Sequence, residues 1–498
     1  MRQLPADEYA GPRGVGIRMS EPQMPGLTSQ YGPAADALLD TYHRFDKAHL
    51  VMLTEEGLIP REAGSAMLSA LRHMEERGMT AVRNEVGGGM HSGEQYLIRR
   101  LGYDVGGRIH LGRSTGDFGA VSRRIRQRDR LLQLMRALNE ARRGILALAP
   151  EHFETVMAGQ TGGQHAQPTT LGHELLAWAS ALERHFERAQ STYERVNASP
   201  AGAAIMTGSS FALNRQRTAD LLGFDSVLRN TFDAIQGHDD EFATVAVAAG
   251  VTLSLARWSN DINFWSGQEA GYVRIPDRFC GTSSIMAQKR NPAILPAIRT
   301  GASESLGAVV TTFASLNTMT GEFGGDGGAG LHLSFDRAVQ GLGWLTELLP
   351  ALEFDRERML EEAGAHWAQA TDLAAALVSE RGWPWRIGHQ VAAIVVRLSE
   401  DRGIAPRDVQ LELVDEASME YHDQPSGLSE TVLREALDPT HFVRARTLYG
   451  GPSPEESRRR LPDYTTVLER DERAAEAISA RLADADATLE AAIDAIVS

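Results

Sequence analysis

Hydroxyls, an amine and an amide crowd into one short stretch, Gly281-Thr282-Ser283-Ser284-Ile285-Met286-Ala287-Gln288-Lys289-Arg290-Asn291-Pro292, between two apolar-patterned segments. Glycine and serine free the backbone to turn its N–H groups toward an anion. Asn291-Pro292 reads as an N-cap followed by a first-turn proline, which would run the loop into the positive end of a helix. Lys289 stands just ahead, so a carboxylate or a phosphate is the ligand class this stretch attracts. Composition alone fits an ordinary surface loop equally.

Three more polar islands adjoin apolar segments: His91-Ser92, the run His110-Leu111-Gly112-Arg113-Ser114-Thr115-Gly116-Asp117, and the run from Thr161 through Gly162, Gly163, Gln164, His165 and Gln167 to Thr170. Each flanks an end of a predicted helix, where a bundle brings distant segments together, and each also fits a simple capping turn.

Long helices must position these islands. Leu131, Leu134, Leu138, Ala141, Ile145 and Leu148 advance by threes and fours, as do Leu175, Trp178, Leu182 and Phe186, and again Phe242, Val245, Ala249 and Leu253. Helices of ~25–30 residues reach roughly 40 Å and must lie side by side in a bundle. Shorter helices are predicted from Ala35 to Gly57 and from Pro60 to Gly78, after an aperiodic arm reaching Pro33. Pro296 should kink the helix that follows the loop. Gly321 to Gly330 breaks the pattern, and beyond Phe354 the prolines 384, 406, 425 and 452 punctuate short helices. The expectation is an all-α fold with an N-terminal helical domain and arm (1–113), a central long-helix bundle (114–361) and a C-terminal helical domain (362–498). No strand-rich region is legible.

A chain of 498 residues can bury substantial cores. Its net charge of -16 argues against nucleic acid or an anionic membrane as partner. The basic run from Arg123 to Arg130 reads as a solvated face or a contact between subunits. Cys280 is the only cysteine, which excludes an internal disulfide and fits a small packed residue. Without a recognisable signal peptide or an 18-residue apolar run, a cytoplasmic protein is expected.

The stretch from Gly281 to Pro292 resembles the signature loop of the fumarase/aspartase superfamily, commonly Gly-Ser-Ser-x-Met-Pro-x-Lys-x-Asn-Pro, with Thr282 and Ala287 as departures. Four more segments resemble the argininosuccinate lyase branch. They are Phe45 to Ile59, His110 to Asp117 (for His-x-x-Arg-Ser-Arg-Asn-Asp), Thr161 to His173 (for Thr-His-x-Gln-x-Ala-Gln-Pro), and Ala370 to Ala374 with Pro384 to His389. The resemblance implies the long-helix fold of that superfamily and a carbon–nitrogen lyase that removes a β-proton from a succinyl or aspartyl substrate and releases fumarate. It implies Ser283 as base, and Lys289 and Asn291 holding the doubly charged aci-carboxylate. Arg113, Ser114 and Thr161 are implied as carboxylate ligands, and Ser284, Met286 and Gln167 as further substrate contacts. A homotetramer whose sites each draw on three subunits is implied, with no cofactor and no metal.

Several positions depart from that pattern. Gly162 replaces the family histidine, leaving the proton donor open between His165 and His91. Thr115-Gly116 replaces Arg-Asn, and Phe323-Gly324-Gly325-Asp326 replaces Tyr-Asn-Arg-Asp. These line the leaving-group side in the family, so a roomier, less polar pocket and an N-substituted aspartate other than argininosuccinate are expected. A cycloisomerase, an adenylosuccinate-type lyase and a non-catalytic binding relative are the alternatives. A buried Lys289 would argue against the last, since a retired site has no need of one.

Overall fold

The N-terminal helices fold around their own apolar faces: α1 (Asp36–Glu55), α2 (Arg61–Glu76) and α3 (Ser92–Leu101) bury Phe45, Leu50, Leu53, Met67, Leu71 and Leu97 together. Gly57, at φ 65°, ends the turn after α1 in a conformation that side chains disfavour. The computed structural model describes residues 36–317, 319–320 and 328–498. The expected arm and the Phe323 to Asp326 segment lie outside the described residues.

Five long helices build the bundle: α4 (Thr115–Leu148), α5 (Leu171–Val196), α6 (Asp239–Trp265), α7 (Ile294–Leu316) and α8 (Gly328–Leu348). The spaced residues of the sequence are its core, with Leu131, Leu138 and Ile145 of α4 buried against Leu175, Leu182 and Phe186 of α5 and Val251 and Leu255 of α6. Trp178 stacks on Trp258 and Trp265 at ring separations of 5.0 and 5.9 Å. By length and composition α6 would pass as a membrane span, contrary to the reading that no such apolar run exists. Here it is a core helix, with Val245, Ala248, Val251 and Ile262 fully buried.

Pro296 is the third residue of α7, where the missing N–H is one the first turn leaves unpaired anyway, so the helix does not lose the hydrogen bond expected there. The basic run is not a solvated face either. Arg124 and Arg128 are buried, and Arg124 Nη1 donates to the Arg195 and Val196 carbonyls at 3.2 and 3.1 Å, capping the C-terminus of α5.

Downstream, α9 (Arg356–Gly364) leads into α10 (Ala370–Arg381), α11 (Trp385–Asp401) and α12 (Leu411–His422), the last three closing a small separate core. The short helices end at Arg444. After them comes α13 (Pro454–Val497), 44 residues with Pro462 inside. It lays Leu468, Ala475 and Ile478 on the bundle core and Leu489, Ile493 and Ile496 on the N-terminal core.

Short strands, illegible in the sequence, decorate one end. They are β1 (Val156–Thr161), β2 (Gln164–Thr170), β3 (Val273–Arg274), β4 (Gly281–Thr282), β5 (Arg290–Asn291) and β6 (Glu353–Phe354). β1 pairs with β2, β3 with β6 and β4 with β5, all antiparallel. The His152 ring meets that of Phe354 at 4.9 Å, so the end of α4 and the β3–β6 pair share this end.

Candidate active site

The serine loop stands on the two-residue β4–β5 ladder, which pairs Gly281 with Asn291 and Thr282 with Arg290. Arg290 Nη2 fixes its base by donating to the Ile275 carbonyl at 2.8 Å and to the Asp277 carboxylate. Asn291 is therefore a ladder residue and not the N-cap; Ala293 precedes α7. Inside the loop, Ser283 Oγ accepts N–H bonds from Met286 (3.1 Å) and Ile285 (3.4 Å). Donors aimed at a hydroxyl oxygen favour its anion, which is the direction a serine base requires. Ser283 and Asn291 are half-buried in the single chain, whereas Ser284, Met286 and Lys289 are exposed and Ile285 is 87% exposed. The lysine is thus not buried, as the sequence reading had it. Cys280 packs beneath the loop, and burial pushes its thiol up, away from thiolate chemistry.

At the same end the β1–β2 hairpin presents Thr161 at its tip. Gly162 and Gly163, at φ 59° and 74°, occupy the turn between Thr161 and Gln164. Two consecutive positive φ values are the demand of a tight hairpin turn matched to strand twist, and glycine meets it without strain. This gives the missing histidine a physical reason: its position is a left-handed turn residue. A Cβ at either glycine would meet nothing within 4 Å. Gln167 is exposed and donates to Thr371 Oγ1 at 3.2 Å. His165 is half-buried, with Nε2 3.8 Å from Glu362 Oε2 and its ring 5.1 Å from that of His366. Burial, and then His366 beside it, lower its pKa, so the imidazole is neutral at physiological pH.

Arg113 and Ser114 lie elsewhere, at the start of α4. Asp117 accepts the Ser114 N–H at 2.9 Å and opens the helix, while burial pushes the Asp117 carboxyl up to about 6. Arg113 is buried under Phe118 and Phe45, its guanidinium 4.6 and 5.7 Å from their centroids. One edge is committed: Nη1 donates to Asp46 Oδ1 at 2.8 Å, and Arg83 holds the other oxygen at 2.5 Å. Burial would raise the Asp46 pKa, but the two arginines outweigh it and keep the carboxylate charged. Arg113 Nε and Nη2 are both buried without a hydrogen bond, the donors left for a ligand. Nearby, His110 Nδ1 meets Glu94 Oε2 at 2.9 Å and His91 Nδ1 meets it at 3.5 Å. Burial pushes Glu94 up, yet these imidazoles hold it well below the usual carboxylate range. Gly116 adds no room, contrary to the roomier pocket expected there: its Cβ would lie 2.6 Å from the Ala204 carbonyl, so backbone fills the space.

The candidates thus form two groups. Ser283, Lys289, Thr161, His165 and Gln167 share one end, while Arg113, Ser114 and His91 sit at the start of α4. That helix of 34 residues separates them by about 51 Å. Sequence reasoning missed Asp46, Glu362 and His366. Asp46 looks like any polar residue on an amphipathic helix, and Glu362 becomes interesting only when the hairpin packs on α9.

Comparisons with known proteins agree with this architecture. Residues 24–307 match the lyase family, and residues 367–444 match the argininosuccinate lyase C-terminal family. Argininosuccinate lyase of Methanothermobacter thermautotrophicus is 36% identical over 461 residues, covering 89% of this chain and 97% of that one. The enzyme of Methanocaldococcus jannaschii is 34% identical, covering 86% and 88%. An EDDS lyase variant with bound fumarate superposes with a TM-score of 0.87 at 29% identity, covering 99% of this chain and 96% of that one. A fumarate lyase from Mesorhizobium sp. BNC1, at 21% identity and a TM-score of 0.68 over 86% of this chain and 96% of that one, shares the fold. The chain belongs to the argininosuccinate lyase-like branch of the fumarase/aspartase superfamily of lyases.

Proposed function

We propose that this lyase removes a β-proton from an N-substituted aspartate, expels the amine from the α-carbon and releases fumarate. The observation that carries the reading is Ser283 Oγ, held by two backbone N–H groups on a loop anchored at its base and free at its tip. Closure of that loop over substrate would bury Ser283 and Lys289, excluding water from a base that needs a strongly positive, dry pocket. Lys289 and Asn291 then hold the charge that grows on the carboxylate as the proton leaves. His165 acts from its minority imidazolium form, whose charge Glu362 steadies: it gives that proton to the departing nitrogen and is left neutral. The similar EDDS lyase variant holds fumarate, which fits this chemistry.

Arg113 and Ser114 join the site only from another copy. A second chain packed antiparallel would bring its α4 start beside this chain's loop end, and a closed set of such pairs makes the homotetramer. Exposed apolar side chains on the bundle support this: Leu253, Leu306, Val310 and Phe313 are each more than 60% exposed. Arg113 would offer Nε and Nη2, the two donors not committed to Asp46, and Thr161 and Gln167 would meet the substrate from the hairpin. With open space at Gly162 and none at Gly116, the leaving group is an amine other than the guanidinium of argininosuccinate.

Two measurements test the reading. A panel of N-substituted aspartates followed by fumarate absorbance should turn over, with argininosuccinate below the best of them in kcat/KM; argininosuccinate at the top would sink the leaving-group argument. Mixing inactive Ser283→Ala with inactive Ser114→Ala chains should restore about a quarter of the activity, because random assembly leaves one site in four with both residues. Hybrids that exchange subunits and stay dead would place the whole site in one chain.

A further inference from the structure

His165 on β2, Glu362 at the end of α9 and His366 just beyond it converge on one point, with a ligand atom from each within 4.8 Å of the others. His165 Nε2 and His366 Nε2 lie 3.8 and 4.0 Å from the same oxygen, Glu362 Oε2. These separations are too long for hydrogen bonds. They are close to the edge of about 3.3 Å that separates two ligands held at ~2.0–2.1 Å around a tetrahedral ion. The second oxygen, Glu362 Oε1, is held by Arg358 Nη2 at 2.5 Å, so the carboxylate is oriented with Oε2 toward the imidazoles.

The backbone gives a second sign. His366 and Trp367 stand at φ 51° and 60°, two consecutive left-handed residues, of which the histidine tolerates that conformation and the bulky tryptophan is the outlier. Such strain persists where something nearby compensates it, and it collects at ligand sites. The comparable trio at the other end, His91, Glu94 and His110, differs: there His110 Nδ1 already bonds Glu94 Oε2 at 2.9 Å, so the carboxylate oxygen is engaged within the group.

We propose that His165, Glu362 and His366 bind one divalent transition-metal ion of the zinc, cobalt or nickel class. Two imidazoles and one carboxylate match the ligand preference of those ions, and the exposed side of His366 lets water complete the coordination. Bound there, the ion ties the hairpin that carries Thr161 to α9 and the C-terminal helices.

The test titrates chelator-treated full-length protein with Co2+, read by visible absorption, and with Zn2+, read by calorimetry. One ion per chain is expected. His366→Asn and Glu362→Gln should each weaken binding by about a hundredfold or more, beyond what losing a second-shell partner does. Asparagine accepts the left-handed backbone at 366, so that variant should keep its melting temperature in chelator. His110→Asn should bind as the wild type does. No binding, or binding unchanged in both His366→Asn and Glu362→Gln, overturns the site.

One consequence rests on the proton-donor reading above: Zn2+ on His165 Nε2 would displace the proton and inhibit turnover. Binding without inhibition would sustain the metal site and remove His165 from the reaction. Turnover that depends on His165 in a chain that binds no metal would do the reverse.

Discussion

The two ends of the bundle solve opposite problems. At the start of α4 Asp46 is buried between Arg83 and Arg113, Glu94 is bonded to His110, and Asp117 accepts the Ser114 and Ala204 N–H groups, so that end is set before any ligand arrives. At the other end Ser283 and Lys289 ride a loop whose only fixed parts are a two-residue ladder and the Arg290 anchor. Fixed charges lower the reorganisation needed at the moment of reaction, whereas a mobile cover is needed to admit a substrate and then exclude water. Under the proposed assembly, joining one end of each kind between antiparallel copies would give a site with a rigid floor and a movable lid.

The contrast predicts opposite signatures for mutation. Ser283→Ala should cut turnover by roughly a thousandfold or more, the scale of a lost general base, while leaving the melting temperature unchanged, because its bonds are local to the loop. A variant that keeps more than about a tenth of wild-type turnover would move the base elsewhere. Arg113→Met should do the reverse in kind. It removes half of the charge compensation around a fully buried Asp46 and should destabilise the chain by about 3–5 kcal/mol in urea unfolding. A loss below about 1 kcal/mol would show the rigid end to be less coupled than its geometry implies.

Legibility in the sequence followed the same divide. Apolar spacing locates the long helices, because a 3.6-residue period is a local property of the chain. Ser283 and Lys289 stand out since polar residues clustered between two apolar segments are locally conspicuous. What stayed hidden depends on distant packing. The burial of Arg124 and Arg128 requires the end of α5 to arrive, and the His165–Glu362–His366 group requires the hairpin to fold onto α9. The hairpin itself was hidden because Gly-Gly signals a turn without saying what flanks it. The length of α13 was hidden by Pro462, whose presence inside a 44-residue helix contradicts the usual punctuation.

The loop end is not loose throughout, and one half-buried carboxyl at its base sharpens the comparison. Glu174, in the first turn of α5, is pushed up to about 7 by burial and then by Asp261. Its folded pKa lies above the unfolded value of about 4.3, so the native state retains a proton that the unfolded chain has released. Stability should therefore fall as pH rises from about 4.3 to 7 and stay reduced above it. Glu174→Gln mimics the protonated form and should gain up to about 3 kcal/mol at pH 8 with no gain at pH 4. A pH-independent difference between the two proteins would mean that Glu174 ionises normally.

The smallest effect expected is at the hairpin tip, and it separates geometry from chemistry. Gly162→His restores the residue that the family carries there. Nothing lies within 4 Å of the added Cβ, so no clash follows, but φ of 59° imposes a left-handed backbone on a side chain. The penalty should be about 1 kcal/mol of stability, confined to a turn that contributes little to either large core. If the turn relaxes to carry the histidine as the family does, turnover of argininosuccinate should rise relative to the best native substrate. A stable Gly162→His chain whose substrate preference does not move would show that the leaving-group side is set by residues other than this turn.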